Sequence, residues 1–173
     1  IVGGGAGGAT VAAEAPRRDP SLEVTMIERG PHVSTAACPM PYYIQDLIKD
    51  EKKLVARTPE KFRESGVDVR LGTQVEEVDR RQGVVRLGDG IMVPYDVLVR
   101  GTGPVPIIPK VPGVDLDGVF VLKTLPDAVA IKTYLGEKKC RKALVVGAGF
   151  IGLEMCEALR GQGIETEMID LAP

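Results

Sequence analysis

Aromatic residues, histidine and long apolar runs are all scarce in this sequence. The 173 residues include no tryptophan, three phenylalanines, four tyrosines and one histidine. That histidine, His32, has no other histidine or cysteine at metal-ligand spacing, so we predict no metal site. No apolar run approaches the roughly 20 residues that cross a bilayer, so we expect no membrane role. Lysine and arginine are interspersed with acidic residues and the net charge is -2, so we do not expect nucleic acid as a partner.

Cysteine is also sparse, and its spacing argues against a disulfide framework. The three cysteines, Cys38, Cys140 and Cys156, are odd in number and far apart. No segment of the signal-peptide type precedes them. We therefore expect free thiols in a reducing compartment, the cytoplasm.

Glycine, in contrast, is abundant and follows a pattern. The chain has 21 glycines, and two groups of them repeat the register G-x-G-x-x-G. In "IVGGGAGGAT" these are Gly3, Gly5 and Gly8, and in "ALVVGAGFIGLEM" they are Gly147, Gly149 and Gly152. Each copy lies between an apolar strand-like run and a helix-like run, which is the context that the motif requires. In this arrangement the glycines allow a tight turn, close approach to a pyrophosphate and close helix packing.

A second strand that ends in an acidic residue follows each predicted helix. Glu28 ends "LEVTMIE" and Asp170 ends "IETEMID", each about 20 residues after its loop. An acid at this distance accepts hydrogen bonds from the adenosine ribose. In the helix after the second loop, Leu153, Cys156 and Leu159 or Ala158 have the spacing of one buried face. Two complete fingerprints predict that the chain binds dinucleotides.

The segment between the loops predicts a different kind of structure. From residue 67 to 103 apolar and polar residues alternate around Gly83 and "GDG", which predicts a small antiparallel β-meander. The proline-rich stretch "GPVPIIPKVPGVD" predicts an extended connector, and "TLPDAVAIKTYLGEKK" predicts a helix. We place the domain boundary within residues 104–124, which gives predicted domains of residues 1–110 and 111–173.

With these elements in place, the chain resembles the pyridine nucleotide-disulfide oxidoreductases, flavoproteins that pass a hydride from NAD(P)H through FAD to a cysteine. It is most similar to their single-cysteine branch, the coenzyme A-disulfide reductases with NADH oxidases and peroxidases. The shared segments are "GGGAGGAT", "IERG", "S-x-x-x-C-x-x-PYYI", "TPEKF", "YDVLV-x-x-TG" and "VVGAGFIGLEM". The resemblance implies an α/β chain: a Rossmann-like FAD-binding fold with a β-meander, then the start of a Rossmann-like NAD(P)-binding fold.

The resemblance also implies the cofactor contacts. FAD would be bound at the first loop and its neighbours: Gly3, Gly5, Ala6, Gly7, Gly8, Glu28, Arg29, Val75, Thr102 and Gly103. The nicotinamide nucleotide would be bound at the second: Gly147, Gly149, Phe150, Ile151, Gly152, Glu154 and Asp170. Asp170 favours NADH because its carboxylate accepts bonds from ribose hydroxyls and repels the extra phosphate of NADPH, which stays a second option.

Cys38 is the residue that the resemblance makes catalytic. Relatives with two cysteines form an internal disulfide, whereas Ser34 stands four positions before Cys38 here, so the second sulfur or an oxidant must come from outside. Either a small thiol forms a mixed disulfide with Cys38, or peroxide oxidises Cys38 to a sulfenic acid. Pro39 suits a first helical position, which would leave Cys38 at a helix N-terminus. In coenzyme A reductases, residues that match Thr10, Arg17 and Ser34 help to hold coenzyme A.

Several positions depart from the family pattern. We expect Pro16 to interrupt the first helix just before Arg17, Ala37 stands where the coenzyme A reductases have asparagine, and Arg100 replaces an expected apolar residue. Family members are also much longer. We therefore expect a fragment, inactive alone, of a parent that dimerises through a C-terminal domain. Coenzyme A disulfide is the expected substrate and peroxide or oxygen the rival. A nucleotide-binding module without turnover is the alternative from another class.

Overall fold

The structure, a computed structural model, describes residues 1–170. The helices are α1 (Ala6–Arg18), α2 (Met40–Ile44), α3 (Pro59–Arg63), α4 (Leu125–Lys138) and α5 (Phe150–Gly161), with a 3-10 helix over Glu51–Leu54. The strands are β1 (Val24–Ile27), β2 (Val67–Arg70), β3 (Val75–Asp79), β4 (Val84–Leu87), β5 (Met92–Pro94), β6 (Lys142–Val146) and β7 (Glu165–Ile169).

The chain forms two compact units that interleave along the sequence. The first unit contains Ile1–Thr35 and Val55–Pro104, and the second contains Ala36–Leu54 together with the chain from Val105 onward. The segment that carries Cys38 therefore belongs to the same unit as the second glycine loop. The predicted domain limits, residues 1–110 and 111–173, stay a prediction.

In the first unit, a parallel pair of strands lies beside α1. Strands β1 and β2 pair in parallel from Val24 opposite Val67 to Ile27 opposite Arg70. Val2 extends this arrangement through isolated parallel bridges to Ile27 and Arg100. The prediction for residues 67–70 was wrong in one respect: "VDVR" is the parallel partner of β1 and not part of the antiparallel meander. Alternation of apolar and polar residues shows a half-buried strand but does not identify its neighbour.

The meander itself is confirmed. Strands β3, β4 and β5 form an antiparallel sheet in that order, with a register irregularity between Val75 and Glu77.

Two groups of buried side chains stabilise the first unit. One lies around α1, β1 and β2 (Ala9, Ala12, Met26, Val33, Phe62, Val67 and Val69), and the other connects β1 to the meander (Ile27, Val85 and Leu87).

Pro16 does not interrupt α1, contrary to the expectation. The helix continues through Pro16 to Arg18, and the Asp19 N–H closes it by donating to the Ala15 carbonyl at 3.0 Å. Pro16 lacks an N–H and so removes one hydrogen bond from the last turn, while the Asp19 N–H still bonds to the helix.

In the second unit, β6 and β7 pair in parallel and α5 packs against both strands. The buried residues of α5 are Met155, Ala158 and Leu159. The predicted face was therefore only partly right, because Leu153 is half exposed and Cys156 is incompletely buried.

Helix α4 begins at the predicted point. The Thr124 hydroxyl accepts from the Asp127 N–H, and the Asp127 carboxylate accepts from the Thr124 N–H, which forms a capping box. Residues 104–111 have no regular secondary structure, as predicted for the connector. Within residues 1–170, no helix has the length and hydrophobicity needed to span a membrane.

Candidate nucleotide and thiol sites

The first glycine loop connects Val2 to α1 through a left-handed turn. Gly3 has φ 99°, a conformation that favours glycine, and its N–H donates to the Ile27 carbonyl at 2.8 Å. Gly5 is the N-cap of α1 and adopts an extended conformation. The helix has no side-chain cap and no acidic residue in its first turn. Its first N–H groups are thus available to an anionic ligand.

Close backbone approaches explain the other glycines of this loop. A Cβ added to Gly8 would lie 1.9 Å from the Gly3 carbonyl oxygen. One added to Gly3 would lie 2.4 Å from the carbonyl oxygen of Gly101. Gly101 was not among the predicted residues, although it directly precedes Thr102 and Gly103. Its signal in the sequence is the glycine of "RGTG", which permits the chain to pass next to the loop.

Glu28 is hydrogen-bonded to the loop that it follows. Its carboxylate accepts from the N–H of Gly4 through Oε2 and from the N–H of Gly30 through Oε1, both at 2.7 Å. The side chain is partly buried, and charge-assisted bonds of this kind are stronger than neutral ones. A carboxylate has about four acceptor positions, so lone pairs remain for ribose hydroxyls.

The second loop has nearly the same backbone. Gly147 has φ 107° and its N–H donates to the Ile169 carbonyl at 2.8 Å, while Gly149 is the N-cap of α5. This helix too has no side-chain cap. A Cβ on Gly152 would lie 1.9 Å from the Gly147 carbonyl oxygen.

Asp170 has the same relation to its loop as Glu28. Its Oδ2 accepts from the N–H of Ala148, the residue between the first two glycines of the motif, as Gly4 is in the first loop. Asp170 is exposed. The structure thus brings each acid to the loop with which the sequence paired it.

These features fit two dinucleotides. Each loop combines uncapped helix N–H groups, glycines that leave space for a phosphate, and an acid at the end of the next strand. Cβ atoms added at Gly5, Gly7 and Gly149 would meet no described atom within 4 Å, so a ligand could approach the backbone there.

The remaining predicted cofactor residues divide between the units. Those of the first unit are the exposed Ala6, Gly7, Arg29, Thr102 and Gly103 and the half-buried Val75. Those of the second are Phe150, Ile151 and Glu154 in the first turns of α5, of which Phe150 is 88% exposed. Their contacts with FAD or the nicotinamide nucleotide stay predictions.

Cys38 is the exposed member of the three free cysteines, whereas Cys140 and Cys156 are partly buried. It lies in a turn before α2, which begins at Met40 and not at Pro39. Pro39 is the N-cap, so the expectation that it occupies the first helical position was wrong. With φ -82° and ψ 0°, Pro39 has not yet entered helical geometry.

Ser34 has an uncommon backbone conformation. Its φ is 54°, in the left-handed region, where residues other than glycine are rare. Its N–H donates to the Gly4 carbonyl at 2.7 Å, and its carbonyl accepts from the Ala56 N–H at 2.8 Å. Ser34 is therefore fixed to the first glycine loop. Strained backbone of this kind is often found at functional sites.

Thr10 and Arg17 lie on α1, two turns apart and both exposed. The Thr10 hydroxyl donates to the Ala6 carbonyl at 2.8 Å. Arg17 bonds Glu14 at 3.1 Å, and its side chain is 68% exposed. Exposed pairs are weak, so the Arg17 guanidinium can exchange this partner for a phosphate.

Comparisons with known proteins agree with the two loops. The family model for pyridine nucleotide-disulphide oxidoreductases matches residues 1–173. An NADH oxidase of Methanocaldococcus jannaschii is 36% identical, with 100% of this chain and 40% of the relative covered. A CoA-dependent NAD(P)H sulfur oxidoreductase of Pyrococcus abyssi is 40% identical over 98% of this chain and 38% of the relative.

Among solved structures, reduced Bacillus anthracis CoADR-RHD superposes with a TM-score of 0.93 at 38% identity, covering 99% of this chain and 32% of that one. The chain spans about 40% of the length of the curated relatives named above. These matches confirm the predicted mixed α/β, Rossmann-type fold class. The chain belongs to the pyridine nucleotide-disulphide oxidoreductase family.

Proposed function

We propose that the full-length protein passes a hydride from NAD(P)H through FAD to Cys38, which reduces a small disulfide such as coenzyme A disulfide. The observation that carries this proposal is Cys38 itself: an exposed, free cysteine with Ser34 where a partner cysteine would otherwise stand, in a chain with two dinucleotide loops. The Pyrococcus abyssi relative, described as CoA-dependent, supports the choice of substrate.

The loops divide the two cofactors. We assign FAD to the loop of Gly3, Gly5 and Gly8 with Glu28, and the nicotinamide nucleotide to the loop of Gly147, Gly149 and Gly152 with Asp170. When bound, FAD supplies the two-electron chemistry that connects the hydride donor to the thiol. The chain contributes the helix N–H groups for the phosphates and the carboxylates for the ribose hydroxyls.

Cys38 carries the disulfide chemistry. Its thiolate attacks one sulfur of the substrate RSSR, the S–S bond of the substrate breaks, and RS⁻ leaves and takes up a proton. The hydride from NAD(P)H, delivered as two electrons and a proton, then cleaves the Cys38–S–S–R bond to thiolate and RSH. The sum is one disulfide, one NAD(P)H and one proton converted to two thiols and NAD(P)⁺.

Thr10, Arg17 and Ser34 are our candidates for binding coenzyme A. Arg17 supplies an exposed positive charge for a phosphate, and Thr10 supplies a hydroxyl that keeps acceptor lone pairs after its bond to Ala6. We also propose that the full-length protein prefers NADH, because the Asp170 carboxylate opposes a 2′-phosphate. A homodimer and a cytoplasmic location complete the proposal.

Mass spectrometry of the full-length protein tests the chemistry. After mixing with coenzyme A disulfide, we expect an adduct of the mass of the coenzyme on Cys38, lost again on addition of NADH. Cys156→Ser should form the adduct normally and Cys38→Ser should not. If Cys38 takes up no coenzyme but gains one oxygen from peroxide, which NADH removes, the protein is a peroxidase or oxidase. If the protein binds no flavin, it is a nucleotide-binding module.

A further inference from the structure

Helix α2, which follows Cys38, is too short to hold its own position. It has five residues, with Pro39 as N-cap and Pro41 in its first turn. Isolated helices shorter than about 12 residues are marginal in water. The Tyr43 N–H donates to the Pro39 carbonyl at 3.0 Å, which joins the helix to the residue beside Cys38. The position of the thiol therefore depends on what holds α2 within the second unit.

Lys132 of α4 contacts Tyr43 in α2 and two residues that follow the helix. Its Nζ lies 2.9 Å from Asp46 Oδ1, 4.1 Å from the ring centroid of Tyr43 and 3.4 Å from the Ile48 carbonyl oxygen. The Lys132 side chain is 21% exposed, so solvent screens these contacts less than those of a surface pair. Hydrogen bonds from Lys49 and Lys132 lower the pKa of Asp46, so its carboxylate stays ionised to lower pH.

Tyr43 is the part of α2 that Lys132 covers. Tyr43 is 7% exposed, and its hydroxyl donates to Glu51 Oε2 at 3.5 Å. Burial and the Glu51 carboxylate raise the pKa of Tyr43, so the phenol stays neutral to higher pH. A buried ring beneath an ammonium group is a more favourable cation–π contact than an exposed one.

Gln162, just after α5, binds the carbonyl of the last residue of α2. Its side-chain amide donates to the Ile44 carbonyl, and Ile44 is 0% exposed. In a continuing helix the Ile48 N–H would donate to that carbonyl, but here it donates to the Tyr42 carbonyl at 3.2 Å. Gly161 lies next to the side chain of Gln45, where an added Cβ would lie 2.1 Å from Gln45 Nε2.

We propose that Lys132 and Gln162 are positioning residues for Cys38. Lys132, on α4, binds the carbonyl of Ile48, and Gln162, at the end of α5, binds the carbonyl of Ile44. These contacts hold α2 in place, and α2 in turn sets the orientation of the Cys38 thiol, two residues before the helix. The proposal rests on the proposed function of Cys38.

The test compares Lys132→Met, Gln162→Leu and Lys132→Arg in the full-length protein. Stopped-flow measurements give the rate of flavin reduction by NADH and, separately, the rate at which prereduced protein reduces coenzyme A disulfide. We expect the disulfide step to slow about tenfold in Lys132→Met and Gln162→Leu, the scale of a misplaced reacting group, with flavin reduction unchanged. Lys132→Arg should recover most of the rate, since a guanidinium can bond Asp46 and stack on Tyr43.

Lys138→Met is the matched control. Lys138 lies on the same helix, pairs with Asp117 at 3.6 Å and lies 5.7 Å from the ring centroid of Tyr134, and neither of these partners belongs to α2. Its replacement removes a similar set of contacts and should leave the disulfide step at the wild-type rate.

Hydrogen exchange of residues 37–48 tests the positioning without reference to substrate. We expect faster exchange there in Lys132→Met and Gln162→Leu, and not in Lys138→Met. Unchanged exchange would overturn the proposal, and so would faster exchange with an undiminished disulfide step. If Lys132→Met fails to retain FAD, the same two measurements on Gln162→Leu decide whether the proposal holds, because Gln162 is exposed. Turnover retained by Cys38→Ser would instead refute the proposed function, and the exchange result would still report whether α2 is held.

Discussion

The two glycine loops share their backbone and differ in their surroundings. Gly3 and Gly147 have φ of 99° and 107°, and each donates its N–H to the last residue of the neighbouring strand. Around the first loop, however, an added Cβ on Gly3 would lie 2.4 Å from the Gly101 oxygen. On Gly147 an added Cβ would meet nothing within 4 Å among residues 1–170.

The comparison separates what the motif determines from what the rest of the chain determines. Both loops have the same spacing of glycines and acid. They therefore share the turn, the start of the helix and the hydrogen bond that a loop N–H donates to the acid. The crowding around Gly3 comes from Gly101, which is distant in sequence. Substitutions that disturb the turn should affect both loops, whereas substitutions that disturb packing should affect the first loop more.

The largest effect is expected where the two loops are alike. In Gly8→Val and Gly152→Val, the Cβ alone would lie 1.9 Å from a carbonyl oxygen, and two methyl groups follow it. Each should lower the free energy of unfolding by about 3 kcal/mol or more. Urea unfolding of the full-length protein measures this, with flavin content and NADH binding as readouts of the two sites. Two variants of wild-type stability would show that the turns are not as described.

Gly3→Ala and Gly147→Ala should distinguish the loops. Both place a Cβ at positive φ, a strain of roughly 1–2 kcal/mol, but only Gly3→Ala adds a backbone clash. We expect a loss of about 3 kcal/mol in Gly3→Ala and about 1 kcal/mol in Gly147→Ala. Equal losses in urea unfolding would contradict the difference in packing.

Replacement of the acid should also lower stability more at the first loop than at the second. Glu28 is partly buried with bonds to Gly4 and Gly30, so Glu28→Ala should lower stability by about 2 kcal/mol and reduce FAD content.

Asp170 is exposed, and Asp170→Ala should change stability by less than about 1 kcal/mol. Instead it should shift the kcat/KM ratio toward NADPH by about tenfold, which corresponds to roughly 1.4 kcal/mol. An unaltered ratio would argue against Asp170 as the determinant of cofactor preference.

The smallest effect concerns arginines in the last turns of the two loop helices. Arg17→Ala should raise the KM for coenzyme A disulfide about fivefold, or roughly 1 kcal/mol for one exposed charge contact. Arg160, in the last turn of α5, provides the control, and Arg160→Ala should leave this KM unchanged. A similar rise in both variants would indicate a general charge effect and remove Arg17 from the candidate binding residues.

Short-range sequence patterns predicted the two glycine loops correctly. Such patterns did not predict which strands pair or which helix face is buried, because both depend on residues distant in the sequence. Gly3 and Gly147 could be assigned their turns because the motif itself specifies the backbone. The parallel pairing of Val67–Arg70 could not be predicted, because alternation does not identify a neighbouring strand. The buried face of α5 was misjudged at Leu153 because several apolar residues in that helix have compatible spacing.

The residues around α2 had no signal at all. Lys132 bonds Ile48, 84 positions away and four residues after α2, and Gln162 bonds Ile44 at the end of α2, 118 positions away. Neither residue lies in a recognisable motif. Lysine and glutamine on predicted helices are usually read as solvent-exposed. Only the folded chain shows that their donors meet the carbonyls of Ile48 and Ile44.

Anaerobic stopped-flow measurement of Cys38→Ser in the full-length protein tests the central claim most directly. FAD should stay bound and NADH should reduce it at the wild-type rate, because both loops are intact. Reduction of coenzyme A disulfide should be abolished, while Cys156→Ser should retain it. Near-normal disulfide reduction by Cys38→Ser would contradict the account, because the electrons would then leave the flavin without this thiol.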